Sequence, residues 1–133
     1  MALVRDAMVT NPVTLDAGES AQAAGERLKD ADRRAVLVCE DGKLTGVVTR
    51  KTLVREVVAA GLDPKTTVLR SIAEPPIFTL DAGLDLEAAF MMLEERDLER
   101  VPVVEDGRLV GVLSRAVLQR RLAEDEPEEP EEA

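Results

Sequence analysis

Apolar and polar positions follow one order along this chain, and that order occurs twice. Short β-favouring runs at residues 12–15 and 76–80 begin at proline and lead into Asp-Ala-Gly, which favours a turn. Apolar residues at helical spacing follow each turn, among them Ala24 and Leu28 in the first half and Leu93 in the second. The pattern predicts a strand and then a helix in each half of the chain.

Two continuous apolar runs joined by Glu-Asp-Gly follow each predicted helix. The first pair occupies residues 35–39 and 44–48, and the second pair occupies residues 101–104 and 109–113. Asp-Gly tolerates the positive φ angles of a tight turn, so each pair is predicted to form a β-hairpin. Because the runs do not alternate with polar residues, we expect helices to cover the sheet, and a closing helix follows each hairpin. Each half therefore reads β-α-β-β-α, an α/β (α+β) fold class.

The two halves are copies of one unit. An offset of 65 residues places residues 13–53 on residues 78–118, and 19 of the 41 pairs are identical without a gap. Such a duplication predicts two units that pack on each other, with functional sites in related pairs. We expect a first repeat at residues 1–65, a second repeat at residues 66–123 and a tail at residues 124–133.

The first helix of each repeat differs in bulk. Ala21 and Ala24 give the first repeat a thin apolar face, whereas Leu86 and Phe90 give the second a bulky one, with Met91 beside it. The bulky helix is expected to cover more apolar surface. Two explanations stay open: part of that surface belongs to another subunit, or all of it fills the core of the same chain.

Most of the net charge of −10 lies in the tail. Residues 124–133 hold seven acidic residues and no basic one, and this Glu- and Pro-rich composition predicts disorder. The other 20 acidic and 17 basic residues form no basic stripe, so neither a nucleic-acid nor a membrane partner is expected. The chain shows no signal-peptide pattern and no apolar stretch of the roughly 18 residues that a membrane span needs. These features predict a cytoplasmic protein.

The chain lacks the residue types on which most catalytic and metal sites depend. It has no histidine, and its only serines are Ser20, Ser71 and Ser114, so Ser-His and Cys-His arrangements are excluded. The single cysteine, Cys39, lies in an apolar run and is interpreted as a buried structural thiol. An enzyme that uses carboxylates or a carboxylate-bound divalent metal would need a ligand spacing that the sequence does not show. We therefore expect no enzyme, no metal site and no required cofactor.

Two motifs carry a resemblance to a known family. The sequence VRDAM at residues 4–8 with NPVT at residues 11–14, and RVPVVEDGRLVGV at residues 100–112, resemble the CBS domain, named for cystathionine β-synthase. The resemblance covers about residues 4 to 122, in the tandem arrangement called a Bateman module. It implies two β-α-β-β-α repeats related by pseudo-twofold symmetry, two clefts between them, and a homodimer. It also implies regulation by an adenine nucleotide or S-adenosylmethionine, with the signal passed to a separate protein partner that remains unknown.

The resemblance also points to a site where the third strand of each repeat meets the second helix. The family pattern is Gly, two apolar residues, Thr or Ser, two variable residues and Asp. The hydroxyl and the free N–H groups of the helix suit an anion, and the carboxylate accepts ribose hydroxyls. This chain keeps Thr49 and Ser114 but has Thr52 and Val117 in place of Asp. Losing a charged hydrogen bond removes about 1.5–3 kcal/mol, and because Thr52 can still bond, the first repeat is the expected nucleoside site.

Basic and apolar residues complete the candidate site that the resemblance implies. Arg50 and Arg115 follow the two hydroxyls, and Arg100 precedes a strand where the family often carries a basic residue. Each could clamp a phosphate, or each could simply be solvated. An adenine ring would lie against two stretches that could equally be strand core: Asn11, Pro12 and Val13, and Pro76, Ile77 and Phe78.

Two functions from different classes remain. The first is a regulatory sensor that binds AMP, ADP, ATP or S-adenosylmethionine in the clefts between the repeats and signals to a separate partner. The second is a ligand-free dimerisation and protein-interaction scaffold whose clefts are degenerate. The absence of Asp at both positions favours the scaffold, and occupancy of the clefts separates the two.

Overall fold

The computed structural model describes residues 2–10, 12–76 and 78–125. The predictions for Asn11, for Ile77 and for residues 126–133 of the tail fall outside this part of the chain. The elements in chain order are helix α1 (Val4–Ala7), strands β1 (Val9–Thr10) and β2 (Thr14–Asp16), helix α2 (Ala21–Arg27), strands β3 (Ala35–Glu40) and β4 (Lys43–Thr49), helix α3 (Arg50–Leu53), strand β5 (Leu80–Asp81), helix α4 (Leu86–Glu95), strands β6 (Arg100–Glu105) and β7 (Arg108–Ser114), and helix α5 (Arg115–Asp125). A π-helical turn, Val54–Val58, continues α3, and a 3-10 turn occupies Leu69–Ser71. The predicted mixed α/β class is confirmed.

The chain folds as two compact units whose limits differ from those of the sequence repeats. The first-repeat unit comprises Pro12–Ile77 and Asp106–Leu109. The second-repeat unit comprises Met1–Asn11, Phe78–Glu105 and Val110–Ala133. The segment that leads into each repeat in the sequence therefore belongs to the unit of the other repeat.

The first-repeat unit is a three-stranded sheet with its helices. Strand β2 pairs in parallel with β3, and β3 pairs antiparallel with β4. A buried apolar core is formed by residues in or next to the sheet, α2, the π-helical turn and the leading segment of repeat two: Leu15, Ala17, Ala21, Ala24, Leu28, Val36, Val38, Val48, Val57, Leu69 and Ile72. Leu69, in the 3-10 turn, is fully buried, so the segment is part of this core and not a loose connection.

The second-repeat unit repeats this plan with the leading segment of repeat one. Strand β5 pairs in parallel with β6, and β1 pairs antiparallel with β7. Its core combines α1, α4, α5 and the strands: Val4, Leu80, Ala82, Leu86, Ala89, Leu93, Val101, Val103, Leu113 and Leu118. Val4 is fully buried, and its backbone N–H donates to the carbonyl of Leu84 at 2.8 Å.

Both predicted hairpin turns are confirmed. Asp41 and Gly42 join β3 to β4 with φ angles of 54° and 80°, and Asp106 and Gly107 join β6 to β7 with 52° and 79°. The left-handed conformation that Asp-Gly tolerates is thus used in both copies.

The other elements differ from their predictions in detail. The strands expected at residues 12–15 and 76–80 are short, at Thr14–Asp16 and Leu80–Asp81. The closing helix of the first repeat changes from α3 to the π-helical turn. The sequence pattern did not indicate α1, β1 or the 3-10 turn, all of which lie in the leading segments. Within the described residues no helix combines the length and the apolar character that a bilayer crossing requires.

Candidate functional site

The junction of β4 and α3 in the first-repeat unit holds Thr49 and Thr52. Thr49 is the N-cap residue of α3, and its hydroxyl accepts a hydrogen bond from the backbone N–H of Thr52 at 3.2 Å. The hydroxyl of Thr52 accepts in return from the backbone N–H of Thr49 at 3.1 Å, and the two hydroxyl oxygens lie 3.0 Å apart. This is a reciprocal capping box. Thr52 is fully buried, so a ribose could reach its hydroxyl only if the pair opened.

Arg50 connects this junction to the C-terminal end of helix α2 by hydrogen bonds. Its Nη2 donates to the backbone carbonyls of Leu28 at 2.6 Å and of Asp30 at 2.7 Å, just beyond the last residue of the helix. A cation at a helix C-terminus neutralises carbonyl groups that lack partners within the helix. The contacts therefore give Arg50 a structural role, and binding a phosphate would compete with it.

The equivalent junction in the second-repeat unit is less tightly bonded. Ser114 ends β7, and its hydroxyl accepts from the backbone N–H of Val117 at 3.5 Å, the limit for a hydrogen bond. Val117 has no hydroxyl with which to return the bond, and it is half-buried. The Ser114 hydroxyl is therefore the more available of the two.

Arg115 is held by two carboxylates. Its guanidinium contacts Glu99 through Nη2 and Asp97 through Nη1 at 3.3 Å. Desolvation acts to lower the pKa of Arg115, but the charges and hydrogen bonds of Glu99 and Asp97 outweigh it and raise the pKa overall. Arg115 thus occupies the position of Arg50 and, like it, binds the loop before the neighbouring strand.

Arg100 lies beside Ser114 at one edge of the second-repeat unit. The backbone N–H of Arg115 donates to the carbonyl of Glu99 at 2.8 Å, which places the start of β6 next to the end of β7. Arg100 is exposed, and its guanidinium forms no ion pair or hydrogen bond with the described residues. An unpaired guanidinium and an available hydroxyl therefore share this edge.

The apolar residues predicted to hold adenine are distributed over both units. Pro12, Val13 and Pro76 are half-buried in the first-repeat unit, and the carbonyl of Val13 accepts from Leu37 at 3.5 Å. Phe78 is half-buried in the second-repeat unit, where the guanidinium of Arg96 lies 4.4 Å from the centre of its ring. One face of Phe78 is thus already covered by a cation–π contact.

Sequence reasoning missed the internal roles of Thr52 and Arg50. The spacing of a threonine, two residues and a second polar residue at a helix start is that of a capping box, so a signal for the Thr49–Thr52 pair was present. Nothing local in the sequence indicated that Arg50 reaches a helix that ends more than 20 residues earlier. Cys39 is half-buried and not fully buried, and burial, with a smaller effect from Asp16, raises the pKa of its thiol.

Comparison with known proteins gives one family. The family model described as the CBS domain matches residues 4–59 and 69–124. Hypoxic response protein 1 of Mycobacterium tuberculosis (strain ATCC 25618 / H37Rv) is 32% identical over 125 residues, which cover 93% of this chain and 87% of that protein. The CBS domain-containing protein YhcV of Bacillus subtilis (strain 168) is 26% identical over 114 residues, which cover 86% and 81%.

Two solved structures illustrate the likeness of the fold. The crystal structure of Hypoxic Response Protein I with two coordinated zinc ions has a TM-score of 0.76 and 31% identity, and the match covers 91% of this chain and 99% of that one. The crystal structure of CBSX2 in complex with AMP has a TM-score of 0.73 and 24% identity, covering 93% and 98%.

Proposed function

The chain belongs to the CBS domain family, and on that basis we propose that it is a regulatory module for an adenine nucleotide or a related adenosyl compound. In this proposal the bound ligand alters contacts with a separate protein partner, and the module itself catalyses no reaction. The protein works as a homodimer. CBS pairs are regulatory ligand-binding modules as a class, and the proposal adds the type of ligand.

One observation carries the choice of an anionic nucleotide: the backbone hydrogen bond from Arg115 to Glu99 brings the start of β6, with Arg100, next to Ser114 at the start of α5. Among residues 2–10, 12–76 and 78–125 no side chain pairs with the guanidinium of Arg100, so a phosphate can bind it without breaking an ion pair in this part of the chain. Helix α5, of 11 residues, directs the positive end of its dipole toward the same edge. A guanidinium and a hydroxyl at a helix start are suited to hold a phosphate group.

The proposed position differs from the sequence-based preference for the first repeat. Thr52 was expected to replace the family's Asp as a ribose ligand, but its hydroxyl is buried and bonded to Thr49. Arg50 is likewise committed to the end of α2. We therefore place the nucleotide at the second-repeat edge, with Thr49, Thr52 and Arg50 as structural residues.

Thermal melting in the presence of candidate ligands tests this function. Because the chain has no Trp or Tyr, a dye would report the melt of micromolar protein against millimolar AMP, ADP, ATP and S-adenosylmethionine, each with and without Mg²⁺. A ligand present at 100 times its dissociation constant adds about 2.7 kcal/mol and raises the midpoint by several degrees. We expect such a rise with one adenine compound.

Two arginine variants make the test specific to the site. Arg100→Ala should lose most of the rise, since a charged hydrogen bond contributes about 1.5–3 kcal/mol. Arg27→Ala, at an exposed arginine in the last turn of α2, is the matched control and should keep it. Flat curves with every compound would contradict the proposed function, and an equal rise in both variants would contradict the proposed site.

We do not extend the zinc ions of a similar structure to this chain. Hypoxic Response Protein I is known with two coordinated zinc ions, but the present sequence has no histidine. Within the described ranges, no three Cys, Asp or Glu residues come together as a potential metal cluster. We propose no zinc site.

A scaffold without a ligand is the second candidate function, and the capping box favours it. The first-repeat junction satisfies its own hydroxyl groups, and Arg50 and Arg115 are both engaged internally. Such a protein would act through dimerisation and partner contacts alone. Flat melting curves combined with a stable dimer would support this candidate.

A further inference from the structure

The ring of Phe78 lies at the edge of the second-repeat unit where the nucleotide is proposed to bind. Strand β5 runs parallel to β6 with Leu80 opposite Val103, which places the residues just before β5 beside the start of β6. Phe78 comes two residues before Leu80, and Arg100 begins β6. Phe78 therefore lies at the same end of the sheet as Arg100 and Ser114.

The guanidinium of Arg96 covers one face of this ring. It lies 4.4 Å from the ring centre, and Arg96 is exposed, so the side of the guanidinium that faces away from the ring is open to a ligand. Apart from this contact, the Arg96 side chain makes no ion pair or hydrogen bond with the described residues. A planar guanidinium stacks both on aromatic rings and on nucleic-acid bases. A base can therefore stack on Arg96 without breaking another interaction.

Hydrogen bonds at the end of α4 fix the backbone that carries Arg96. Its N–H donates to the carbonyl of Met92 at 3.1 Å, and the N–H of Leu98 donates to the carbonyl of Leu93 at 2.9 Å. Asp97 has a φ angle of 53°, the left-handed conformation that often ends a helix. The backbone of Arg96 is thus held in place before a ligand binds, which reduces the entropy lost on binding.

The first repeat has no ring and no cation at the equivalent positions. Across the 65-residue offset, three residues of the second-repeat edge correspond to small or aliphatic side chains: Phe78 to Val13, Arg96 to Ala31 and Arg100 to Ala35. The first-repeat unit folds without these groups, so packing of a repeat does not require them. A site for a base with an attached phosphate does require an aromatic or planar surface next to a free cation.

We propose that the guanidinium of Arg96, held over Phe78, is the surface on which the base of the bound nucleotide stacks. The inference rests on the proposed function and adds the residue that contacts the base. The base lies against the open side of Arg96, while the phosphate binds Arg100 and the Ser114 hydroxyl. Because a purine stacks over a larger area than a pyrimidine, the site prefers AMP to CMP.

A lysine at position 96 separates stacking from charge. Arg96→Lys keeps the positive charge but removes the plane, and isothermal titration calorimetry measures the dissociation constants of AMP, CMP and ribose 5-phosphate. We expect the constant for AMP to rise about tenfold, in the range of one stacked base, and that for ribose 5-phosphate to stay unchanged. The preference for AMP over CMP should disappear. Arg120→Lys, at an exposed arginine of α5 in the same unit, is the matched control and should change none of these values.

A second variant tests the support that the ring gives to the guanidinium. Phe78→Leu keeps an apolar side chain against the core of the unit but removes the ring beneath Arg96. It should weaken AMP binding as Arg96→Lys does. The double variant should be no weaker than either single one, because both changes disable the same surface. The melting midpoint without ligand shows that each variant is folded.

Three results would overturn the proposal. Unchanged AMP binding in Arg96→Lys would show that the base does not contact the guanidinium. Tighter AMP binding in Arg96→Ala would show that Arg96 covers Phe78 against the ligand and that the base stacks on the ring itself. An equal loss for AMP and for ribose 5-phosphate would make Arg96 a phosphate contact.

Failure of this inference can be told apart from failure of the proposed function. If no adenine compound binds the unmodified protein, the proposed function fails, and the inference fails with it. If AMP binds and its affinity depends on Arg100 but not on Arg96, only the inference fails.

Discussion

Single hydroxyl groups decide how the two repeats of this protein differ at equivalent positions. Thr49 and Thr52 satisfy each other in the first repeat, whereas Ser114 has only a long contact with a backbone N–H in the second. An unsatisfied polar group away from water is costly, so the threonine pair stabilises the start of α3. The same pair withdraws both hydroxyls from any ligand, which leaves the second repeat as the more accessible position.

Removing the buried hydroxyl of Thr52 should destabilise the fold without affecting ligand binding. Thr52→Val keeps the shape of the side chain but leaves the backbone N–H of Thr49 without its partner. We expect the free energy of unfolding to fall by about 1–2 kcal/mol, the usual cost of losing a cap or a buried hydrogen bond. Chemical denaturation measures this change.

Thr66→Val is the matched control, because Thr66 is exposed and its hydroxyl makes only a 3.5 Å contact with the carbonyl of Asp63. Its effect should stay within about 0.5 kcal/mol, as for most surface substitutions. Equal stability of the two variants would show that the capping box contributes nothing. A lost response to adenine compounds in Thr52→Val would return the ligand to the first repeat.

At the scale of elements, the sequence predicted the turns and helix starts, which depend on neighbouring residues. It missed the features that depend on residues distant in the chain. The hairpins follow from Asp-Gly, and α2 and α4 are capped by Ser20 and Asp85, whose side chains accept from backbone N–H groups three residues on. The short length of β5 and the 3-10 turn depend on packing against other segments, which local patterns do not record. For the same reason the sequence placed Thr49 and Ser114 where a strand meets a helix, but it did not indicate the internal partners of Arg50 and Arg115.

Both repeats carry a glycine in a strand at the point where a leading segment packs closely against it. Gly46 and Gly111 occupy equivalent positions in β4 and β7, and each is crossed by a leading segment. A Cβ at Gly46 would lie 2.6 Å from Cβ of Ala73, and a Cβ at Gly111 would lie 2.8 Å from the carbonyl oxygen of Val9. Both glycines therefore allow a backbone to pass close to the strand.

Gly46→Ala should destabilise the protein because the added methyl group has no space. The segment that crosses β4 is held by two hydrogen bonds between Val47 and Glu74, at 2.7 and 2.9 Å, so it cannot move away freely. We expect a loss of about 1–3 kcal/mol in the free energy of unfolding, typical of overpacking. Gly25→Ala, in the middle of α2, is the control, and it should instead stabilise by up to about 1 kcal/mol. Equal effects of the two substitutions would contradict the close approach at Gly46.

At the scale of the whole molecule, the duplication produces units that exchange their leading segments. Val4 and Leu69 are equivalent across the 65-residue offset, and both are fully buried, but each lies in the core of the other repeat's unit. The sequence could not show this exchange, because the apolar pattern of a leading segment suits either core. Cutting the chain between the two sequence repeats would therefore leave both units without part of their cores.

Amide hydrogen exchange in two core variants tests directly whether each leading segment packs in the unit of the other repeat. Val4→Ala and Leu69→Ala each remove buried methyl groups, and the cost of such a change in a well-packed core is about 2–5 kcal/mol for leucine and less for valine. Because Val4 packs in the second-repeat unit, its variant should speed exchange mainly in α4 and β6. Leu69→Ala should speed exchange mainly in α2 and β3, since local stability depends on the unit in which the contact is lost. The reverse assignment, with Val4→Ala loosening α2 and β3, would show that each leading segment packs on its own repeat.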